Sequence, residues 1–222
     1  MKKTGKAALI ACLCLSAAAA VYDGCASAED FQLDLDYILS YDQQQCSDMI
    51  FFGDSRVVGM SQEAGGYHYV GKVAAGYAWM SGEGSSLLQD MMNQWPQADI
   101  VFCFGINDLG NIDSYISWFE SFSAQYPDRR CWYLSVNPVS ELSAARSGYT
   151  VRNDSIDAFN SRLGEAFQDR YLDTWSYFME YGVSSADGVH YSGNTYAALE
   201  DCTWRAISEK LEEENAKAAD GN

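Results

Sequence analysis

Short apolar runs that alternate with helix-patterned segments constrain the fold of this chain more than any other feature. The run Asp99–Phe104 is almost entirely apolar, as is typical of a strand that is buried on both faces of a sheet. Similar runs occur at Met49–Phe52 and Cys131–Val136, and helically spaced apolar residues come after each of them in the chain. Alternating strands and helices predict βαβ units and a parallel sheet with helices on both faces.

The predicted elements follow one another without an internal repeat, a low-complexity tract or a linker. We predict five strands, at Met49–Phe52, Tyr67–Ala74, Asp99–Phe104, Cys131–Val136 and Tyr171–Trp175. We predict helices at Ser55–Gln62, Ser85–Trp95, Ile112–Phe122, Ile156–Phe167 and Asn194–Glu213. In open sheets of this kind ligands bind beyond the carboxyl ends of the strands, so a functional site is expected in the loops that follow the strands.

The first 28 residues have the layout of a secretory signal peptide. Three lysines precede the apolar segment Ala7–Val21, and Ala26-Ser27-Ala28 supplies a small-x-small cleavage site. Because the apolar segment is short for a membrane span, we expect cleavage after Ala28, export, and no stable membrane insertion of the mature chain. Lipoprotein anchoring is a minor alternative, since the residues before Cys25 do not fit a lipobox and too little apolar sequence precedes Cys12.

Length and charge limit the remaining organisation and the partners. The 222 residues suit one domain, which we place at 48–214 between an arm at 29–47 and an acidic tail at 215–222. The whole chain has a net charge of −17; residues 1–28 hold three lysines and one aspartate, so the rest carries −19. Such a surface repels nucleic acid and anionic membranes. It also disfavours a strongly polyanionic substrate unless a local basic patch exists, and the oligomeric state stays unknown.

Four of the seven cysteines, Cys46, Cys103, Cys131 and Cys202, lie beyond residue 28. They form no Cys-x-x-Cys pair and the chain has only two histidines, so we expect no metal site and no cofactor. One histidine, His68, is expected to be an ordinary strand residue. An exported chain can form a Cys46–Cys202 disulfide, and the sequence leaves that bridge open.

Residues suited to acyl transfer follow several of the predicted strands. Gly53-Asp54-Ser55 ends the first strand, where Ser55 is either a helix cap or a nucleophile at the rim of the sheet. Asp187 precedes His190 by three residues, so the carboxylate can accept a hydrogen bond from one imidazole nitrogen and leave the other free to take a proton. Taken alone, such a pair is more often a surface turn with a chance histidine.

Hydrogen-bond donors for an oxyanion occur in the same set of loops. They are the backbone N–H of Ser55 at a helix start, the backbone N–H of Gly76, and the side-chain amide of Asn107. Each donor of this kind typically lowers the barrier by about 3 kcal/mol. Nucleophile, base, orienting carboxylate and donors together favour a serine esterase.

Four segments occur in the order of the sequence blocks of the SGNH hydrolases, also called GDSL esterases, which this chain resembles. They are Gly53-Asp54-Ser55, Gly76, Gly105-x-Asn107-Asp108 and Asp187-x-x-His190, and they span residues 53–190. The resemblance implies a flavodoxin-like α/β fold, a three-layer α/β/α sandwich with a five-stranded parallel sheet. It implies that Ser55 is the nucleophile, His190 the general base and Asp187 the orienting carboxylate, with Ser55, Gly76 and Asn107 forming the oxyanion hole.

Three further residues are candidates for substrate binding. Arg56 follows the serine where the commonest motif of the family has leucine; it could hold an anionic substrate group, although pairing with a surface carboxylate is the expectation we favour. Tyr77 and Trp79 could form an aromatic wall for a sugar or an acyl group, and core packing explains Trp79 about as well. Asp54 and Asp108 are expected to cap or brace their loops.

Three functions remain in competition. The first is an exported serine esterase acting on short acyl esters, above all O-acetyl groups on a cell-wall or dietary glycan, by an acyl-enzyme mechanism. The second is an O-acyltransferase that uses the same nucleophile, and the third is a non-catalytic carbohydrate-binding surface protein. A phosphate or nucleotide binder is disfavoured, because no glycine-rich phosphate loop follows the first strand and Asp54 would repel the anion.

Overall fold

A computed structural model describes residues 48–220. The predicted signal peptide at 1–28, the arm at 29–47 and Cys46 therefore lie outside the described residues, as do residues 221–222. One sheet of five parallel strands has the order β2-β1-β3-β4-β5. The strands are β1 (Met49–Gly53), β2 (His68–Gly71), β3 (Asp99–Cys103), β4 (Cys131–Leu134) and β5 (Tyr171–Leu172).

Helices connect the strands and follow the last of them. Within the described residues they are α1 (Ser55–Glu63), α2 (Tyr77–Trp79), α3 (Ser85–Gln94), α4 (Ile112–Gln125), α5 (Glu141–Arg146), α6 (Asn153–Phe167), α7 (Trp175–Tyr181) and α8 (Gly193–Asp220). A π-helical turn at Met80–Gly84 joins α2 to α3, and 3-10 turns lie at Leu109–Asn111 and Gln168–Arg170. None of these helices combines the length and the apolar character that crossing a bilayer requires.

The sheet separates two hydrophobic clusters because successive side chains of a strand point to opposite faces. In β1, Ile50 and Phe52 belong to one cluster and Met49 and Phe51 to the other, and all four are fully buried. Side chains of α3, α4 and α6 complete the first cluster, whereas side chains of α1, α7 and α8 complete the second. The predicted three-layer α/β/α sandwich is therefore confirmed.

The structure differs from the predicted elements where apolar segments are too short to show whether their hydrophobic period is that of a strand or of a helix. β2 ends at Gly71, before the predicted Ala74, which has a positive φ of 58° that extended strand does not allow. Trp175 begins α7 rather than ending β5, and the carboxylate of Asp173 accepts hydrogen bonds from Ser176 there. The helices α2, α5 and α7 were not predicted. At the other end, α8 continues to Asp220 and includes most of the predicted acidic tail.

The described cysteines are thiols. Cys202 on α8 is a free thiol. The other residue of the bridge that the sequence left open, Cys46, lies outside the described residues. Burial raises the pKa of the Cys202 thiol to about 11. Cys131 is 5% exposed within β4, as expected of a small buried hydrophobe, and burial raises the pKa of its thiol to about 11 as well. Both thiols are therefore uncharged at neutral pH.

The ends of β1 and β3 approach each other closely at the rim where the site lies. A Cβ atom on Gly53 would lie 2.4 Å from the backbone oxygen of Cys103, so only glycine fits there without a shift of the backbone. The backbone N–H of Asp54 donates to that same oxygen at 3.3 Å. This contact fixes the exit of the chain from the sheet one residue before Ser55.

Candidate active site

Ser55 is the first residue of α1, separated from β1 by Asp54 alone, and it does not cap the helix. The cap is Asp54, whose side-chain oxygen accepts a hydrogen bond from the backbone N–H of Arg56 at 3.0 Å. Asp54 is 2% exposed, and burial raises the pKa of its carboxyl while the neighbouring Arg56 opposes that shift. Because Asp54 satisfies the helix end, the hydroxyl of Ser55 is left for another partner.

That partner is His190, which lies 135 residues later in the chain. The Oγ atom of Ser55 is 2.9 Å from Nε2 of His190, and Nδ1 of His190 is 2.7 Å from Oδ2 of Asp187. The structure thus brings Ser55, His190 and Asp187 into one line of hydrogen bonds. In such an arrangement the carboxylate fixes the tautomer of the imidazole and leaves Nε2 facing the hydroxyl as a proton acceptor.

The loop that carries Asp187 and His190 is held by its own hydrogen bonds. Oδ1 of Asp187 accepts from the backbone N–H groups of Val189 at 2.9 Å and His190 at 2.8 Å. Burial opposes ionisation of Asp187, but the hydrogen bonds from the ring and backbone of His190 outweigh it, so the pKa of this carboxyl lies well below its usual range. Gly188 has φ 87°, and a Cβ atom there would lie 2.2 Å from the backbone nitrogen of Ala144 in α5.

The loops after β2 and β3, which carry two of the predicted oxyanion donors, are joined to each other. Nδ2 of Asn107 donates to the backbone oxygen of Ala75 at 2.8 Å, which leaves the second hydrogen of this amide for another acceptor. The backbone N–H of Tyr77 donates to Oδ2 of Asp108 at 2.8 Å. Within residues 48–220, the backbone N–H groups of Ser55 and Gly76 have no hydrogen-bond acceptor. They are therefore available to an oxygen atom of a ligand.

Asp108 is the residue that binds the two loops together. Besides Tyr77, its carboxylate accepts hydrogen bonds from the hydroxyl of Tyr115 at 2.6 Å and from Nδ2 of Asn111 at 2.9 Å. A Cβ atom on Gly76 would lie 2.6 Å from Oδ2 of Asp108, so the carboxylate also packs directly on that glycine. The sequence predicted that Asp108 braces its own loop, and the structure shows that it also holds the loop after β2.

The three candidate substrate-binding residues are placed differently from one another. Arg56 is only 6% exposed, so the favoured pairing with a surface carboxylate is wrong, and its guanidinium is not available to a ligand at the surface. Trp79 packs on Phe52 and Phe104 with ring centroids 5.7 and 6.3 Å apart, which is mainly core packing. Tyr77 is half-buried and meets the ring of Tyr115 edge to face.

Tyr149 is a site residue that the sequence did not single out. Its hydroxyl lies 3.4 Å from Oδ2 of Asp187, and its ring centroid lies 6.2 Å from that of His190. It is 38% exposed. No period or motif marks the segment around it, so only the tertiary structure identifies this aromatic ring beside the imidazole.

An open groove leads away from Asn107 along the surface. Its lining combines apolar and polar residues of the loop after β3 and of the segment before and within α6, among them Leu109, Gly110, Val151 and Arg152. No group of three or more histidine, cysteine or acidic side chains among the described residues is arranged to hold a metal ion. The site is thus built from a hydroxyl, an imidazole, a carboxylate and amide donors beside a groove.

Comparison with solved structures shows which proteins share the fold of this chain. No protein-family model and no curated protein matches the sequence. A lipase/acylhydrolase from Enterococcus faecalis matches with a TM-score of 0.56 and 14% identity over 73% of this chain and 96% of that one. A Bacteroides fragilis NCTC 9343 protein assigned as an acylhydrolase has a TM-score of 0.56 and 17% identity over 78% and 97% of the two chains. The acetyl xylan esterase AlAXEase has a TM-score of 0.51 and 14% identity over 72% of this chain and all (100%) of that one.

Proposed function

We propose that this protein, which has the fold of the SGNH hydrolases, is an exported serine esterase that removes short acyl groups, O-acetyl groups above all, from carbohydrate. One observation carries the proposal: Ser55, His190 and Asp187 form an unbroken line with distances of 2.9 and 2.7 Å. A binding protein has no need of this line, whereas a serine hydroxyl requires an adjacent base to attack an ester. Export rests on the sequence pattern of residues 1–28.

The reaction begins with proton transfer from Ser55 to His190. As Oγ of Ser55 attacks the ester carbonyl carbon, Nε2 of His190 takes its proton, and Asp187 stabilises the imidazolium that forms. The imidazolium then gives the proton to the departing alcohol oxygen, which leaves an acyl group on Ser55. A water molecule, deprotonated by the same nitrogen, then attacks the acyl carbon. The bond to Oγ breaks, the carboxylic acid leaves, and the imidazolium of His190 returns the proton to Oγ.

The negative charge that develops on the carbonyl oxygen needs donors that are in place before the reaction. We assign this role to the backbone N–H groups of Ser55 and Gly76 and to the free hydrogen of the Asn107 amide. The N-terminus of α1 adds a favourable dipole at Ser55. Because Asp108 and Ala75 hold these loops together, the donors do not have to reorganise during the reaction, which is the condition for a large contribution.

Two features support a short acyl group on a sugar as the substrate. One neighbour in fold is named an acetyl xylan esterase. The groove beside Asn107 presents both apolar and hydrogen-bonding side chains, as the alternating faces and hydroxyls of a sugar chain require, and Tyr149 adds an exposed ring next to His190. The acyl group would lie at Ser55, with the sugar along the groove.

The substrate is tested with the purified protein and a matched set of esters. We expect fluorophosphonate to label Ser55, as located by mass spectrometry of the digested protein, and acetylated oligosaccharides to be hydrolysed faster than esters of long fatty acids. Free acetate is measured in the presence and absence of an acceptor sugar. Acetate release that is replaced by acetylated acceptor would show the acyltransferase instead. Absence of labelling at Ser55 together with inactivity on every ester would contradict the proposal.

Replacement of the Asn107 amide is predicted to slow catalysis while substrate binding changes little. We expect Asn107→Ala to lower kcat on p-nitrophenyl acetate by about a hundredfold to a thousandfold, because one donor to the oxyanion is lost. Asn111→Ala is the matched control. It removes an amide of the same kind, which donates to Asp108 in the loop after β3 and is not assigned to the oxyanion. Equal losses in the two variants would mean that Asn107 acts only by bracing its loop.

A further inference from the structure

Arg56 is a charged side chain that the proposed chemistry does not use, although it follows the nucleophile directly. It is 94% buried, since only 6% of its surface is exposed. Its Nη1 donates to the backbone oxygen of Asn137 at 3.2 Å, just beyond β4. Its Nε and Nη2 are buried and have no hydrogen-bond partner within residues 48–220. Burying a guanidinium with two unpaired donors costs stability, so packing alone does not explain an arginine here.

Arg56 and Ser55 contact the same loop, the one that carries His190. The guanidinium carbon lies 5.6 Å from the ring centroid of Tyr191, at cation–π distance. Ser55 and Arg56 are consecutive, and so are His190 and Tyr191. Two neighbouring residues of α1 therefore contact two neighbouring residues of the loop that carries the imidazole, and one of these contacts is the hydrogen bond between Ser55 and His190.

Tyr191 is itself fixed to the same region of the sheet. Its hydroxyl donates to the backbone oxygen of Pro138 at 2.7 Å, next to the Asn137 oxygen that Arg56 uses. The backbone N–H of Tyr191 donates to the hydroxyl of Tyr196 on α8. Arg56 thus connects the start of α1, the loop after β4 and the loop of His190 in one buried set of contacts.

A small cavity of about 20 Å³ adjoins this set of contacts. Its polar lining residues are Asp54, Arg56, Ser135 and Asn137, and apolar side chains close the remainder. The guanidinium therefore borders a small open space on this side. The directional contacts of the guanidinium are those with the backbone oxygen of Asn137 and the ring of Tyr191.

We propose that Arg56 is a positioning residue which, through Tyr191, holds the imidazole of His190 at hydrogen-bond distance from Ser55. This inference rests on the proposed function, since it assumes that the Ser55–His190 contact performs the chemistry. A displacement of about 1 Å between reacting groups can cost about a hundredfold in rate. The charged residue then serves the precision of the site.

The test is a double-mutant cycle with Arg56→Met and Tyr191→Leu, read as kcat and KM on p-nitrophenyl acetate. Each single variant is expected to lower kcat by about tenfold to a hundredfold and to change KM by less than about threefold, because the reacting groups and not the substrate site are displaced. The double variant is expected to be no slower than the slower single variant, since both act on the same contact. Losses that multiply in the double variant, or full kcat in folded Arg56→Met, would overturn the proposal.

Arg170→Met is the matched control. Arg170 also lies over a ring, that of Trp132 at 4.6 Å, and also has a buried N–H without a hydrogen-bond partner among the described residues. It lies near β5 and pairs with Glu214, away from Ser55. Its replacement is expected to lower the melting temperature and to leave kcat unchanged. A similar loss of kcat in Arg170→Met would mean that removal of an arginine packed on a buried ring acts through general destabilisation, against the proposal.

Two further measurements separate failure of this inference from failure of the proposed function. If Arg56→Met does not fold, Arg56→Lys keeps the charge and is expected to fold with a lowered kcat, because an ammonium group cannot contact Asn137 and Tyr191 together. If the wild-type protein hydrolyses no ester, the proposed function fails. Crystal structures of wild type and Arg56→Lys then still report the distance from Ser55 Oγ to His190 Nε2. An unchanged distance in the variant would overturn the positioning role, and an increased one would support it.

Discussion

The Ser55→Ala variant is expected to fold like the wild type and to release no measurable nitrophenol from p-nitrophenyl acetate above the rate of spontaneous hydrolysis. The hydroxyl supplies the atom that bonds to the acyl group, so no other residue of the site replaces it. In serine hydrolases, loss of the nucleophile lowers kcat by roughly a millionfold. Folding should be little affected, because the helix cap is supplied by Asp54 and the removed group is one oxygen atom.

The measurement combines hydrolysis with covalent labelling. Ser55→Ala is expected to lose labelling by fluorophosphonate together with turnover. Ser61→Ala is the matched control: Ser61 lies on the same helix, and its hydroxyl donates to the backbone oxygen of Val58. Labelling and turnover should both persist in that variant. Continued turnover by Ser55→Ala at wild-type rate would refute the assignment of the nucleophile.

The His190→Ala variant is expected to lose a factor of about a thousand or more in kcat, equivalent to roughly 4 kcal/mol of barrier. Without the imidazole ring the proton of Ser55 has no acceptor at 2.9 Å, and Asp187 loses the group that it orients. A residual rate above the uncatalysed reaction should remain, since the oxyanion donors are untouched. The double variant Ser55→Ala/His190→Ala is expected to be little slower than Ser55→Ala alone, because the nucleophile, the base and the orienting carboxylate act as one unit.

The only other histidine in the chain provides the control for that experiment. His68 in β2 stacks on the ring of Trp95 with centroids 3.8 Å apart, and its Nε2 lies 3.8 Å from the carboxylate of Asp48. His68→Ala is expected to reduce stability through lost stacking and to retain kcat. A loss of kcat in His68→Ala comparable to that in His190→Ala would contradict the assignment of the base.

Local sequence was sufficient for the order of the elements that form the sheet. Continuous apolar runs such as Asp99–Phe104 have no polar face to turn toward solvent, so they predict a strand that is buried on both sides. The position of Ser55 at the rim followed from the abrupt end of one such run at Gly53. Short segments rich in aromatic residues were less informative, and Trp175 was assigned to a strand although it begins a helix. Over so few residues the two periods cannot be distinguished.

The surroundings of the site depended on contacts between segments that are far apart in the chain. Asp108 was expected to brace its own loop, yet it also accepts from Tyr77 in another loop. Tyr149 reaches Asp187 from a segment without any pattern. Arg56 was expected at the surface because arginine is rarely buried, and its burial follows from Asn137 and Tyr191, which lie 81 and 135 positions further along the chain.

The sequence by itself determined the alternation of strands and helices, the parallel sheet, and the residue types that face its carboxyl rim, because hydrophobic period and the glycine, aspartate and histidine spacings are local properties. Only the tertiary structure decided that the hydroxyl of Ser55 meets His190, that Asp54 rather than Ser55 caps α1, and that Arg56 lies inside the protein. These outcomes depend on which distant groups supply a hydrogen bond or exclude water, and a distance between segments is set by the packing of the whole domain.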